Sequence, residues 1–377
     1  MAFYNIPMDV DIKPFLLFLS VVLGVFVFYR LIVSRFFRIW EGLETKAKQD
    51  ISSSSDDSDA IVCADNDYTK AEDLPLKEYV IKSSYNSAYN GTDVTADTLE
   101  QRLADGYRFI DLNVFSASGG ILYVGFSRDN APTMIQKTLM FSDALKTIHT
   151  YAFTKRVKPG TVNVSYDYLS TPLFLNLRVY RPVDSNEDIV DEIGKALDWE
   201  NNPNYHKTAS GEAALVNGCT SLGSIGKKIV ISMDIENLIQ IYAPAEKPIA
   251  TEIPEPTQKR LKQFVGIYTG GNTWRASYQY TDPSITAKTK DLKISDQTRS
   301  PYKTNVATMR IAYPHPEDQS NPDFTRLILH NSIQNVPFRV YIGGGELPKY
   351  EKMFAELKTS YVPMAYAYTY LRGLANR

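Results

Sequence analysis

Apolar positions follow three successive patterns along this chain. Residues 15–33 (FLLFLSVVLGVFVFYRLIV) form one continuous apolar run with a single charge, Arg30, close to its end. At helical rise the run spans about 28 Å, near the hydrocarbon thickness of a bilayer. It therefore predicts a transmembrane helix, with Arg30 reaching to the interface. A cleaved signal peptide fits less well. It would start basic and end at small residues, whereas Asp9 and Asp11 precede this run and Arg35, Phe36, Phe37 and Arg38 follow it. Residues 52–59 (SSSSDDSD) have no apolar periodicity and predict a flexible tether. From Leu76 onward short strand-like runs alternate with helical ones.

The first strand is expected at 79–83 (YVIKS), followed by a helix over 98–104 (TLEQRLA) with Asp97 as N-cap and Gly106 as its stop. Further strands are expected at 107–114 (YRFIDLNV) and 120–126 (GILYVGF). Residues 141–153 place Leu145, Ile148 and Ala152 on one helical face. Strand patterns recur at 173–179 (LFLNLRV), 228–233, 307–312 and 338–342 (FRVYI). This alternation, sustained over about 300 residues, predicts an α/β fold with a parallel sheet, and a barrel at that size. No internal repeat interrupts it.

A hydrophobic fraction of 44% and a charged fraction of 22% suit a packed core. The net charge of −2 lacks the basic footprint of a nucleic-acid binder, so none is expected as partner. The 25 tyrosines suit either a β-rich interior or an adhesive surface. Two cysteines, Cys63 and Cys219, make no disulfide framework and lean towards a reducing compartment. Only Lys13 precedes the apolar run, whereas Arg30, Arg35, Arg38, Lys46 and Lys48 lie at its end or beyond it. That excess predicts a single-pass protein whose C-terminal domain lies on the cytoplasmic side. The sequons at Asn90 and Asn163 would then stay unmodified.

Several blocks in order resemble the phosphatidylinositol-specific phospholipase C family. Residues 77–88 (KEYVIKSSYNSA) are similar to the family's opening strand with its Ser-Ser-His-Asn stretch. Residues 103–115 (LADGYRFIDLNVF) resemble the Glu-Leu-Asp-Val-Trp block, and 122–127 (LYVGFS) the Tyr-His-Gly-His-Thr block. Residues 144–153 with 172–177 (PLFLNL), then 226–231 (GKKIVI), resemble the strands that complete the first half. Residues 310–314 (RIAYP), 321–322, 333–336 and 361–363 are similar to blocks of the second half. The resemblance implies an α/β fold, a phospholipase C-like distorted (β/α) TIM barrel preceded here by one N-terminal transmembrane helix. The expected organisation is a short non-cytoplasmic tail (1–14), the helix (15–33), a juxtamembrane segment and linker (34–75) and a first barrel half (76–233). An insert (234–300) and a second barrel half (301–377) complete it.

The family's chemistry needs two histidines, one as base for the inositol 2-hydroxyl and one as acid for the departing glycerol oxygen. By the resemblance, Tyr85 stands at the first position and Val124 at the second. Valine transfers no proton, and a phenol with an ordinary pKa of about 10 is a poor base at neutral pH. The eukaryotic members hold calcium with an asparagine and three carboxylates. The matching positions are Asn86, Asp111, Asn113 and Arg178, so the site's charge goes from −3 to 0, Asp111 and Arg178 cancelling. A guanidinium about 5 Å from Ca²⁺ would repel it by roughly 6–7 kcal/mol at an effective dielectric of about 20, so the calcium site is expected to be lost and no cofactor is expected. Arg178 is expected either to pair with Asp111 or to bind an anion, as an arginine does in bacterial members. The lysines that grip inositol phosphates match Ser232 and Asp234. Arg310 resembles the second-half arginine, with Tyr313 one residue further along than the family spacing. Asn86, Asp111, Asn113, Arg178, Arg310 and Tyr313 are thus the ligand-binding candidates. Among the histidines, His149 reads as structural, His206 and His330 as loop or surface residues, and His315 as a candidate replacement acid or base.

These substitutions predict a pseudoenzyme tied to a membrane through 15–33 that bridges to neighbouring structural proteins. Similar degenerate members are expected among large DNA viruses with an internal membrane, which would make it a virion membrane or minor capsid component. The alternatives are a phosphoinositide-binding module and an active phosphodiesterase with rebuilt catalytic residues.

Overall fold

Two long strands, β3 (Phe109–Ser116) and β6 (Leu173–Tyr180), organise the fold, and every residue of both is buried. They run parallel, in a register that pairs Phe109 with Phe174, Asp111 with Asn176, Asn113 with Arg178 and Phe115 with Tyr180. Because side chains alternate between faces, these pairs stack on the inner face, and β7 (Ile229–Asp234) adds Val230 and Ser232 to it. The intervening residues Ile110, Leu112, Val114, Leu175, Leu177 and Ile231 belong to the large apolar cluster shared with the helices. Such two-sided burial is what a parallel sheet between layers requires.

The computed structural model describes residues 74–117, 119–126, 137–154, 170–180, 188–234, 255–269, 277–280, 311–314, 320–331 and 333–375. All lie within the unit Ile61–Arg377. The expected membrane helix and the linker up to residue 73 fall outside the described residues, as do Arg310 and His315. Among the described residues no helix is long and apolar enough to cross a membrane.

Around the central strands come β1 (Tyr79–Ile81), β2 (Ser83–Ser84), α1 (Ala96–Ala104), β4 (Leu122–Gly125), β5 (Leu139–Met140), α2 (Phe141–Tyr151) and α3 (Ile189–Leu197). The chain continues through α4 (Glu255–Phe264), β8 (Ile267–Thr269), β9 (Ser277–Tyr280), β10 (Ile311–Pro314), α5 (Phe324–Asn331), α6 (Leu347–Leu357), β11 (Tyr361–Pro363) and α7 (Met364–Ala375). The main sheet runs β5-β4-β3-β6-β7-β8, with β2 alongside β3. Bridges Ile311–Asn335, Ile81–Asn335 and Ser84–Phe338 bring the second half beside β1 and β2. Strand β9 pairs with β10 in parallel, and β11 with β1 in antiparallel. Among the described residues no pairing joins β8 to β9. The architecture is therefore a barrel-like α/β fold with a mixed sheet, and the expected closed barrel is corrected to that.

Local differences have local causes. The helix α1 is capped by Thr95, whose hydroxyl accepts from Thr98 N, rather than by Asp97, because a β-branched residue in extended conformation presents its oxygen to the first turn. The strand expected at 338–342 is a single bridge at Phe338. The chain turns at once, with Ile342 N donating to Arg339 O, and Asn321 holds that turn by donating to Arg339 O and accepting from Arg339 N.

Candidate functional site

The inner face is built in layers. Phe109, Phe174 and Val230 form an apolar base with Tyr361 and Ile81. Above them Ser232 Oγ donates to Asn176 Oδ1 at 2.9 Å, and Asn176 Nδ2 donates to Asp111 Oδ1 at 2.9 Å and to the Tyr313 hydroxyl at 3.0 Å. The next layer holds Asn113 and Arg178, and the outermost is a stack of Phe115 on Tyr180 with ring centroids 4.9 Å apart. Opposite Asn113 lies Gly125. A Cβ there would come within 2.8 Å of the Phe115 ring, so that ring fills the space a side chain would take.

Arg178 is the centre of the cluster. Its Nε donates to Asp111 Oδ1 at 2.9 Å and its Nη2 to Asp111 Oδ2 at 2.6 Å. Nη2 also reaches Asn86 Oδ1 at 2.9 Å, and Nη1 reaches the hydroxyls of Tyr85 at 3.0 Å and Tyr180 at 3.5 Å. Five contacts thus match the five N–H donors of a guanidinium. The Tyr85 ring lies 4.3 Å from its carbon, and Tyr313 packs edge-on against Tyr85. Burial alone would lower the Arg178 pKa. Asp111, followed by Tyr85 and Tyr180, outweighs that and holds the group charged, well above its ordinary value. The ion pair expected between Arg178 and Asp111 is present.

Asp111 is equally committed. Besides two Arg178 donors it accepts from Asn176 Nδ2 and from the backbone N–H of Asn86 at 3.0 Å. Those four donors take up about four lone-pair sites of a carboxylate, leaving none free for a cation. Asn86 sits at φ +47° in the turn after β2, a left-handed conformation that asparagine tolerates better than most residues. Its Oδ1 also accepts from Asn113 Nδ2 at 2.7 Å. Asn113 Oδ1 has no hydrogen-bond partner among the described residues, so a water molecule would complete the layer there.

The structure brings Tyr85, Asn86, Asp111, Asn113, Arg178 and Tyr313 together. Val124 is not among them. It pairs directly with Val114, so it shares that residue's outer face and belongs to the helix-side apolar cluster. Sequence reasoning missed Asn176 and Tyr180, although both share the alternation of Arg178 along β6. It also missed Arg339, whose guanidinium carbon lies 5.7 Å from the Tyr85 ring. Two of the four histidines, His149 and His206, stand elsewhere. His149 contacts Tyr205 and Asn202 between α2 and the loop after α3, and His206 donates its backbone N–H to Ile229 O. Among the described residues no group of His, Cys, Asp and Glu could hold a metal ion.

Among solved structures, the chain is similar to L. pealei PLC21, with 16% identity and a TM-score of 0.48, over 79% of this chain and 38% of that one. It spans well under half the length of that protein. A calcium-dependent phosphoinositol-specific phospholipase C from Pseudomonas sp. shares 10% identity at a TM-score of 0.42, covering 77% of this chain and 97% of that one. A Ca²⁺-dependent enzyme of the same kind from Streptomyces antibioticus shares 13% identity at a TM-score of 0.40, covering 74% and 98%. No curated protein matches the chain. The X domain of phosphatidylinositol-specific phospholipase C matches residues 72–233, and on that match the chain resembles the phosphatidylinositol-specific phospholipase C family.

Proposed function

We propose that this chain is a membrane-anchored, phospholipase C-like protein without phosphodiesterase activity, whose folded part bridges to neighbouring structural proteins, as a virion membrane or minor capsid component would. One observation carries the loss of activity. Arg178 stands where the resemblance implies a calcium-binding carboxylate, and its five donors are spent on Asp111, Asn86, Tyr85 and Tyr180. With Asp111 filled by four donors, this set does not fit a calcium ion, a hard cation that wants several oxygen ligands. Proton transfer fares no better. The Tyr85 hydroxyl accepts from a permanent cation, and Val124 has no proton to give. Losing one proton-transfer group typically costs about 10²–10⁴-fold in rate, and both positions are altered.

The anchoring rests on the apolar run 15–33, and the bridging role on the polar stretch 52–59 behind it, whose sequence has no apolar periodicity. The full chain in detergent micelles containing phosphatidylinositol should release no inositol phosphate above background, with or without calcium. Tyr85→His combined with Val124→His should not restore release, because Arg178 remains and position 124 faces the helices. Calcium-dependent turnover by the unmodified chain would overturn the proposal. In the native assembly, cross-links from residues 74–375 should lead to neighbouring proteins; cross-links confined to lipid would remove the bridging role.

A further inference from the structure

The chain contains two Asn-Gly pairs, Asn90-Gly91 and Asn217-Gly218, and the fold treats them differently. In such a pair the main-chain nitrogen can attack the asparagine side chain, because glycine has no Cβ to shield it. Asn90 and Gly91 are both exposed, in a tight turn closed by the antiparallel bridge between Tyr89 and Val94. Three donors hold the Asn90 side-chain carbonyl there, Thr92 N at 2.9 Å, Thr92 Oγ1 at 3.0 Å and Asp93 N at 2.8 Å, all to Oδ1. Donors aimed at a carbonyl oxygen stabilise the negative charge that builds on it when a nucleophile adds to its carbon. Among the described residues neither the Gly91 N–H nor Asn90 Nδ2 has a hydrogen-bond partner. Nucleophile and leaving group are thus open to water, and the turn grips the oxygen between them. Asn217 is set otherwise. It is half-buried, Gly218 is buried, and the Gly218 carbonyl accepts from Lys77 N at 3.0 Å. Among the described residues its Oδ1 accepts one donor, Cys219 N at 2.8 Å.

We propose that Asn90 is a site of spontaneous deamidation selected by this turn. Gly91 N gives its proton to a solvent base and attacks Asn90 Cγ. The N–Cγ bond forms, the Cγ–Nδ2 bond breaks, and Nδ2 takes a proton from water and leaves as ammonia. Water then opens the cyclic imide at either of its carbonyls, leaving aspartate or isoaspartate at position 90. A glycan on the Asn90 sequon would block the step, so it belongs to the unglycosylated chain. Either product sets a carboxylate beside Asp93, which already pairs with Lys137 at 3.3 Å. Isoaspartate also lengthens the main chain by a methylene inside the turn. That shift falls on the Tyr89 hydroxyl, which donates to Gly91 O at 2.6 Å. The Tyr89 ring stacks on Phe126 at 4.0 Å and meets Tyr341 edge-on at 4.8 Å, so the aromatic cluster feels the change. The inference depends on neither the loss of catalysis nor the bridging role.

The full chain, made in bacteria and kept for weeks in detergent at mildly alkaline pH and body temperature, tests this. Peptide mass spectrometry reads the amide loss at each residue, and an isoaspartyl methyltransferase counts the isoaspartate. Residue 90 should lose its amide several-fold faster than residue 217 in the folded chain, with isoaspartate among the products. In concentrated urea the two rates should converge, because the turn and the burial that separate them are gone. Gly91→Ala should slow the loss at 90 several-fold and leave 217 unchanged. Equal rates in the folded chain, faster loss at 217, or a ratio that urea leaves unaltered would overturn the proposal.

Discussion

Arg178 and Asp111 meet edge to edge in a buried bidentate pair, Nε to Oδ1 at 2.9 Å and Nη2 to Oδ2 at 2.6 Å. Removing one partner strands the other charge in a site closed by Tyr85, Tyr180 and Phe115, and breaking a buried pair in this way costs about 3–5 kcal/mol. Arg178→Met and Asp111→Leu should each lower the unfolding free energy by that order in urea titrations. The double replacement should cost clearly less than the sum, because no lone charge remains. Near-additive losses would mean that the pair is not the unit holding this layer.

A second buried cation joins the two halves. Lys82 is fully buried, contacts Glu351 Oε2 at 2.5 Å, donates to Asp105 O at 2.7 Å and lies 4.6 Å from the Tyr107 ring. Glu351 also accepts from the Tyr107 hydroxyl. Glu351→Ala removes the carboxylate that faces the buried Lys82 ammonium. It should therefore destabilise by about 3–5 kcal/mol, more than Lys352→Ala, whose partner Glu356 sits on the same exposed helix face and should cost under about 1 kcal/mol. Urea midpoints at fixed pH would separate the two, and equal midpoints would dismiss the clasp.

Much of this site was legible because alternation fixes which side chains share a face. In residues 109–115 (FIDLNVF) the polar letters fall at Asp111 and Asn113, and in 174–180 (FLNLRVY) at Asn176 and Arg178. The parallel register then brings them side by side. The same rule, applied to β4, turns Val124 outward, which a motif match alone does not reveal. What the sequence hid were long-range pairings: the approach of Arg339 to Tyr85 and the antiparallel entry of β11 beside β1. Neither depends on local periodicity. The run 338–342 alternates like a strand, yet Asn321 bends it after one residue.

Stability should fall on mild acidification. Burial lowers the pKa of His149, opposed by Asp198, and lowers that of His206 with help from Lys228. Their folded pKa values thus lie below the unfolded value of about 6.5, so the unfolded state binds more protons in between. Unfolding free energy then rises with pH. The contribution is fully present above about pH 6.5 and is lost as pH falls through the folded values. Urea titrations at pH 7.5 and 5.5 should show the lower stability at 5.5, and His149→Asn with His206→Asn should reduce that difference. An unchanged difference would assign it to other groups.

The Arg178 cluster should also refuse the ligand that its resemblance suggests. A phosphate would need donors that are free or cheaply released, and each Arg178 N–H already has a protein acceptor. Taking Nε and Nη2 from Asp111 would expose a buried carboxylate to a second anion, which adds repulsion to the lost pair. A ligand that binds only the folded state stabilises it by about 2.7 kcal/mol at one hundred times its Kd. Millimolar inositol 1,4,5-trisphosphate should therefore leave the melting temperature of the full chain unmoved, and vesicles containing phosphatidylinositol 4,5-bisphosphate should not compete for the domain. If the melting temperature instead rises with ligand concentration, and Arg178→Lys removes the rise while the chain still unfolds cooperatively, the cluster is a lipid-headgroup site and the bridging role must be sought elsewhere on the surface.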